Sequence, residues 1–291
     1  MTTRRRFIKT TAAAAGLAAL GPLGARAASK EKSRVVVIRN DKVLDDAGNA
    51  DKMILVQMLH DAVCKLLEVG DNPAAAWKRL FKARWKVGIK SNEWEKLPTP
   101  RAVEDALVYC LGQVGVDKSR ISVADRSVLR DPIFRQADAL LNVRPMRTHA
   151  WAGVGSLIKN YIMFVPRPYE YHDDACADLG SIWNLPKVKG KTRLNVLVML
   201  TPLFHGSGWH HFDPNYTWRY KGLIVSTDPV AADATGLRIL EAKRRQHFGK
   251  HVAMKPEPKH IRLAGERHGL GEYAAERIEV LHIGPNKGRL I

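Results

Sequence analysis

Side chains that could move a proton or hold an anion are concentrated in a short string near the middle of the chain. His149 and Lys159 are separated by nine residues that include Gly153 and Gly155, and Asn160 follows directly. His and Lys exchange protons near neutral pH when their surroundings shift their pKa values, and glycine lets a backbone pass close to a ligand. The string predicts a ligand site in which Lys159 is a cofactor attachment point, a base or an anion contact.

Three further histidines have neighbours suited to metal binding or proton transfer. His172 lies beside Asp173 and Asp174, so it is a metal ligand, a general base with an orienting carboxylate, or a solvated loop residue. His205 and His210 lie in the string HGSGWHHFDP, where they are close enough in sequence to supply two metal ligands. We therefore predict His172, His205 and His210 as candidate ligands of a transition metal.

Other polar residues are candidates for holding the anionic groups of a substrate or cofactor. Lys90 and Asn92 directly follow a run of strand-forming residues. Asp228 precedes Pro229, which is also the pattern of a helix N-cap followed by a first-turn proline. Asp233, one turn further, either faces the site or complements the helix dipole. The predicted cofactor-binding residues are Lys90, Asn92, Lys159, Asn160 and Asp228.

The elements that must position these residues alternate between strand and helix patterns. Short β-branched runs predict strands at 34–38, 85–89, 120–124, 139–143, 194–200, 222–226 and 277–283. Periodicity and start signals predict helices at 52–69, 100–114, 229–248 and 259–267, the second of them capped by Thr99. The alternation predicts an α/β fold, with a mainly parallel sheet and helices on both faces, as one domain or two lobes.

Polar clusters follow the ends of several predicted strands, at 90–92, 125–127, 142–149, 205–211 and 227–228. The ends of parallel strands form one edge of a sheet, and ligands bind at that edge. Residues 145–190 are rich in Pro, Gly, Tyr and His and have weak periodicity, and such long irregular stretches are usually functional. We therefore expect the clusters to converge on one site.

The first 27 residues resemble a twin-arginine export signal. Arg4-Arg5-Arg6-Phe7-Ile8-Lys9 precedes an Ala/Gly/Leu stretch that ends in Ala25-Arg26-Ala27. Residues 10–23 are too short and too weakly apolar for a membrane anchor, which needs about 20 apolar residues. The resemblance implies that the twin-arginine translocation machinery exports the folded chain to the periplasm, often with a cofactor bound. The mature protein would begin at Ala28 and have no stable membrane span.

Composition narrows the classes of partner and cofactor. Removal of residues 1–27 takes away five basic residues and no acid, which lowers the formal net charge from +18 to +13. Lys and Arg are dispersed without interleaved aromatics, which argues against nucleic acid and favours solubility, an acidic partner or an anionic surface. Cys64, Cys110 and Cys176 form no CxxC pair. That spacing excludes a ferredoxin-type iron–sulfur cluster and leaves free thiols or a periplasmic disulfide open.

Several strings together resemble the family called domain of unknown function 362. They are GIKSN at 88–92, TPRAVEDAL at 99–107, ADALLNVRPMRTHAWAGVGSLIKN at 137–160, STDPVAADA at 226–234 and AGERHGLG at 264–271. Recurring polar residues of that family correspond here to Lys90, Asn92, His149, Lys159, Asn160, His172, Asp228 and Asp233. Many relatives have an Asp-Gly or Asp-Ala pair where this chain has Met199, Leu200 and Thr201. Many also carry a ferredoxin-like segment that is absent here.

A weaker, local similarity is to the nickel-pincer lactate racemases, in which a His is followed by a cofactor-bearing Lys and then by another His. His149, Lys159 and His172 occur in the same order. The similarity implies that Lys159 is the covalent anchor of an organometallic cofactor, that His172 is a metal ligand and that His149 is an acid or base.

These observations predict an exported metal- or cofactor-dependent enzyme that acts on a small anionic substrate by proton or hydride transfer. It would be an oxidoreductase or isomerase, with His149, Lys159 and His172 as catalytic residues. One alternative is a non-catalytic metal- or ligand-binding accessory protein of a periplasmic redox system. Another is a basic structural protein held at the envelope surface. Saturable binding without turnover, retained in Lys159→Ala, would favour the accessory interpretation.

Overall fold

Runs of β-branched and apolar residues form a single central sheet. The computed structural model describes residues 31–206 and 211–291, so the predicted export signal at 1–27 and His210 lie outside the described residues and stay predictions. The strands are β1 Ser33–Arg39, β2 Val87–Lys90, β3 Ile121–Ala124, β4 Ala139–His149, β5 Gly153–Gly155, β6 Thr192–Leu203, β7 Gly222–Ser226 and β8 Ile278–Ile283.

The sheet is mixed but mostly parallel, which confirms the predicted α/β class. Its strand order is β3-β2-β4-β6-β7-β1-β8, with β5 paired to β4. β2 runs parallel to β3 and β4, β4 to β6, and β1 to β8. β7 is antiparallel to both of its neighbours, β6 and β1. The chain therefore leaves β7 in the direction opposite to the one in which it leaves β6.

Helices cover both faces of the sheet, as expected. They are α1 Lys52–Leu67, α2 Pro73–Leu80, α3 Arg101–Gln113, α4 Pro132–Arg135, α5 Leu157–Asn160, α6 Asp173–Cys176, α7 Leu179–Ile182, α8 Pro229–Phe248 and α9 Lys259–His268. Alternate residues of β1 enter two cores: Val36 packs with α1 and α3, and Val37 packs with α8 and α9. Lys32–Ile291 forms one compact unit. None of its described helices is long and apolar enough to cross a bilayer.

Three local differences from the sequence prediction have physical causes. β4 continues to His149 although Pro145 and two arginines interrupt the apolar run, because its backbone pairs with β6 as far as Arg147 and with β5 from Arg147 to His149. α2 was not predicted, yet Asn72 caps it by accepting the Ala75 N–H. Thr99 does not cap α3, because its Oγ1 accepts the Asn92 N–H at 3.2 Å instead.

Candidate functional site

A cavity of about 310 Å³ opens where the chain leaves the C-terminal ends of β2, β3 and β4. The structure brings together at this cavity three of the polar clusters, those at 90–92, 125–127 and 142–149. Of the predicted site residues, those in the lining are Asn92, His149, Lys159, Asn160 and His172. The convergence of parallel strand ends thus holds for this edge of the sheet.

Two arginines of β4 place buried guanidinium groups in the cavity lining. Arg144 is 3% exposed and Arg147 is 4% exposed. Among the described residues neither forms an ion pair, and the Nε of each has no hydrogen-bond partner. The charge of Asp125, which lines the same cavity, acts on both but forms its ion pair with Lys90. Burial lowers the pKa of Arg144 to about 10 and also lowers the pKa of Arg147, but a guanidinium keeps its charge at neutral pH. Because an unpaired buried charge is unfavourable, an entering anion would stabilise both groups.

An irregularity in β4 turns both arginines toward the same cavity. Residues three apart on a regular strand point to opposite faces, but the pairing of β4 with β6 shifts register between Pro145 and Arg147. The Cζ atoms of Arg144 and Arg147 each lie 3.4 Å from the point where a Cβ on Gly155 would sit, so they are at most twice that distance apart. Arg147 also stacks on Trp94, with its Cζ 4.0 Å from the ring centroid.

Gly155→Ala is expected to weaken anion binding while leaving the fold intact. The new Cβ would lie 2.8 Å from Nη2 of Arg144, so this flexible guanidinium must move. We expect about tenfold weaker binding of benzoate or phosphate in isothermal titration calorimetry, which corresponds to about 1.4 kcal/mol. Gly112→Ala is the matched control, because no atom lies within 4 Å of its Cβ position. Equal affinity in both variants would contradict this role of the guanidinium pair.

Lys159 is the third buried cation in the lining. It is 3% exposed, and its Nζ lies 3.5 Å from Sγ of Cys176. Cys176 reaches it from a turn in which Asp174, Ala175 and Cys176 have φ angles of 50°, 55° and 62°, in the left-handed region. Burial, reinforced by the charge of Arg144, lowers the pKa of Lys159 to about 8. A fraction of the amine is therefore neutral at physiological pH and able to accept a proton.

Both histidines of the cavity are neutral at physiological pH. Burial and the charge of Lys159 lower the pKa of His149, and burial lowers that of His172 to about 4. Nδ1 of His149 accepts the Trp151 N–H at 3.1 Å, so the neutral ring carries its proton on Nε2. His149 is therefore suited to donate a hydrogen bond to a ligand. His172 stacks on Trp151, with ring centroids 4.3 Å apart.

Lys90 is fully buried and does not line the cavity, so its predicted contact with an anion stays a prediction. Its Nζ donates to Ser91 O at 2.6 Å, to Asp125 Oδ1 at 2.5 Å and to Asn160 Oδ1 at 3.2 Å. These bonds use all three ammonium protons. Burial lowers the pKa of Lys90 to about 8. At Asp125 burial is the largest single effect and raises the pKa, but the charge and hydrogen bond of Lys90, the Glu93 N–H and the charge of Arg144 together lower it. Lys90 thus orients Asp125 and Asn160.

A row of buried amides joins Asn160 to the central strands. Nδ2 of Asn160 donates to Asn142 Oδ1 at 2.8 Å and to the backbone oxygen of Lys90 at 3.0 Å. Nδ2 of Asn142 donates to Asn195 Oδ1 at 3.2 Å, and Nδ2 of Asn195 donates to Ser226 O at 3.3 Å. Because its side-chain atoms are engaged by protein groups, Asn160 fixes the turn that carries Lys159 rather than acting as a free ligand contact.

Asp233 fixes the same turn from α8. Its carboxylate accepts Ser156 Oγ–H at 2.6 Å and the N–H groups of Leu157 and Ile158, both at 2.9 Å. Burial raises the pKa of Asp233 to about 6 despite these hydrogen bonds, so the group is mostly ionised at neutral pH. Asp233 therefore joins the start of α5 to α8 and does not line the cavity.

Asp228 does not line this cavity, and its role in cofactor binding stays a prediction. It caps α8 by accepting the Ala231 N–H at 2.9 Å, and it also accepts Ser33 Oγ–H at 2.6 Å. The physical reason is the direction of β7: being antiparallel to β6, it sends Thr227 and Asp228 away from the edge reached by β2, β3 and β4.

Two of the predicted metal ligands, His172 and His205, lie in separate cavities. His172 lines the cavity described above, whereas His205 packs on Tyr216 at 4.6 Å between ring centroids and lines a separate cavity. Within residues 31–206 and 211–291, no three His, Cys, Asp or Glu side chains are grouped so as to hold a metal ion. Metal binding by these histidines stays a prediction, because His210 lies outside the described residues.

Sequence reasoning missed Arg144 and Arg147 as individual site residues, although they lie within the cluster at 142–149. A usable signal was present: the string ALLNVRPMRTH contains two arginines in mostly apolar surroundings and no acidic residue that could pair with them. A basic residue in a buried strand is unfavourable unless its charge is paired, so two such residues without an acidic neighbour in the strand indicate a partner from elsewhere, such as a ligand.

Residues 114–238 match the family model described as a domain of unknown function (DUF362). The resemblance predicted from sequence strings is confirmed over this segment, which contains both arginines, His149, Lys159 and Asp233. The strings at 88–92, 99–107 and 264–271 lie outside the matched residues. No curated protein and no solved structure matches the chain.

Proposed function

We propose that this chain, with its match to the DUF362 family, is an enzyme that binds a small organic anion and transfers a proton to or from it. One observation carries the proposal: Arg144, Arg147 and Lys159 are buried around one cavity, and in the described residues none of the three forms an ion pair. Asp125 is the one carboxylate among the described lining residues, and its ion pair is with Lys90, so the basic groups of the lining outnumber the acidic ones. The cavity volume of about 310 Å³ is at the small end of the range of about 300–1,000 Å³ for small-molecule sites.

Anion binding follows from the electrostatics of the lining. Arg144 repels Arg147 and Lys159, and burial removes the water that would screen these charges. An anion would offset the repulsion and accept hydrogen bonds from the free guanidinium N–H groups. The neutral His149 adds the Nε2–H as a further donor.

Proton transfer is assigned to Lys159. Its neutral amine would accept a proton from a carbon next to the anionic group, and the electron pair of the broken C–H bond would move onto an oxygen of the substrate. Arg144, Arg147 and the His149 Nε2–H would stabilise the charge on that oxygen. The resulting ammonium group of Lys159 would then return the proton. A metal or organometallic cofactor, and its attachment at Lys159, remain predictions from the sequence.

Substitution of Lys159 separates binding from proton transfer. Lys159→Arg is expected to keep anion binding but to lose proton transfer, since a guanidinium does not deprotonate near neutral pH. Lys159→Met should slow hydrogen exchange at least about 100-fold. Proton NMR in D2O, with a panel of 2-oxo and 2-hydroxy carboxylates, measures this exchange. Exchange that persists in both variants would rule out Lys159 as the base, and binding without exchange in the wild type would favour the accessory role.

The pH dependence of the wild type gives an independent check. The pKa of Lys159 is lowered to about 8 in the free protein, so the neutral fraction rises about tenfold per pH unit below that value. The exchange rate should therefore rise up to about pH 8. Anion affinity should fall above that pH, because the ammonium charge is lost there.

A further inference from the structure

We propose that the anion bound in this cavity carries a flat apolar body, such as an aromatic ring, that packs on Trp151; this inference rests on the proposed function. The cations occupy only part of the lining. Five further lining residues form an apolar and aromatic wall, namely Trp94, Trp151, Ile162, Met163 and Pro168, and the remaining lining residues are polar: Asn92, Asp125, Arg126, His149, Asn160 and His172. A small inorganic anion would leave this wall in contact with water.

Trp151 is placed to receive such a body. It lies in the short turn between β4 and β5. The last residue of β4, His149, pairs with the first residue of β5, Gly153. The Trp151 side chain lines the cavity and is nevertheless 58% exposed. Stacking on His172, at an interplanar angle of 32°, fixes the ring. An indole in the wall of a cavity offers an apolar face on which a ligand can pack.

Asn92 adds a polar requirement to the ligand. Its side chain lines the cavity and is 8% exposed, and its Oδ1 has no hydrogen-bond partner among the described residues. Buried oxygens of this kind are normally satisfied. The substrate class is therefore a carboxylate or phosphate ester that joins an anionic head to a flat apolar body and carries an N–H or O–H group able to reach Asn92.

Calorimetric titration with matched probes tests this class on the full chain. We expect benzoate or phenyl phosphate to bind about tenfold or more tightly than acetate or inorganic phosphate, because the ring adds buried apolar area. The tighter of the two aromatic probes identifies the head group. Trp151→Ala should weaken binding of that probe about tenfold and leave acetate and phosphate unchanged. Tyr109→Ala is the control, since Tyr109 is exposed on α3, on the opposite face of the sheet.

The outcomes distinguish the two proposals. If aromatic and small anions bind equally and Trp151→Ala has no effect, the aromatic body is refuted and anion binding stands. If no anion binds, or if benzyl alcohol binds as tightly as benzoate, the charged head is unnecessary and both proposals fail. If Tyr109→Ala weakens binding of the aromatic probe as much as Trp151→Ala does, the specific contact with Trp151 is also refuted.

Discussion

Arg147→Met is expected to stabilise the anion-free protein while abolishing anion binding. The side chain is 4% exposed, and in the described residues it has no ion pair and repels Arg144. Replacing a buried ion pair by apolar side chains of similar volume is often neutral or stabilises a fold by about 1–4 kcal/mol, and a buried charge without an ion pair has the same desolvation cost with less to offset it. Loss of stacking on Trp94, worth about 0.5–2 kcal/mol, moves the expected gain toward the lower part of that range. A site residue that destabilises its own fold is most easily explained by its ligand.

Urea unfolding without added anion, paired with calorimetry, checks this expectation. The control is Arg101→Met, because Arg101 is 77% exposed and pairs with Asp105 on the surface of α3; its stability should change little. Benzoate should raise the unfolding midpoint of the wild type and of Arg101→Met but not of Arg147→Met. Reduced stability with undiminished binding would show that the guanidinium is structural.

Asp233→Ala is expected to lower the free energy of unfolding by about 2–6 kcal/mol and to abolish proton transfer. The change leaves the buried N–H groups of Leu157 and Ile158 without acceptors, and each such group costs about 1–3 kcal/mol. Lys159 follows directly in α5, so its amine would lose its fixed position. The milder Asp233→Asn retains one acceptor oxygen and should give an intermediate loss of hydrogen exchange.

Asp228→Ala is the matched control on the same helix. Asp228 caps α8 by accepting the Ala231 N–H, and removing such a cap costs about 0.5–2 kcal/mol. We expect lower stability but retained anion binding and exchange, measured by urea unfolding, calorimetry and NMR on the same samples. If both variants lose exchange in proportion to their stability, Asp233 has only a general structural role.

Local patterns were sufficient to predict most elements of the fold. The predicted strand at 222–226 and the predicted helix at 229–248 match β7 and α8, because uninterrupted β-branched runs and the Asp-Pro start with a glycine stop are strong local signals. The predicted strand at 139–143 ends earlier than β4, because the apolar run is interrupted at Pro145. Pairing with β6 continues the strand beyond that point. Hydrophobic patterns and cap residues do not show the direction of a strand. Asp228 was therefore expected at the sheet edge where β2, β3 and β4 end, whereas it lies at the opposite edge.

For the site, sequence order was enough to group His149, Lys159 and His172, which line one cavity. It could not show what each polar group already contacts. The three ammonium protons of Lys90 are taken by groups that include Asp125 and Asn160, which are distant in sequence. A role that depends on which polar atoms lack a partner can therefore be assigned only from the three-dimensional structure. Proximity of residues at a sheet edge, in contrast, follows from the topology.

The amide row from Asn160 to Asn195 also bears on how the chain selects one strand alignment. Ten of the eleven residues of β4 are buried, so this strand lacks the alternation of buried and exposed residues that normally penalises a shifted pairing. A slip of one residue between β4 and β6 would part Asn142 from Asn195 and leave their amide groups unsatisfied among apolar side chains. These asparagines thus discriminate against misaligned sheets, and nonpolar replacements of both would be expected to yield compact chains with heterogeneous strand pairing.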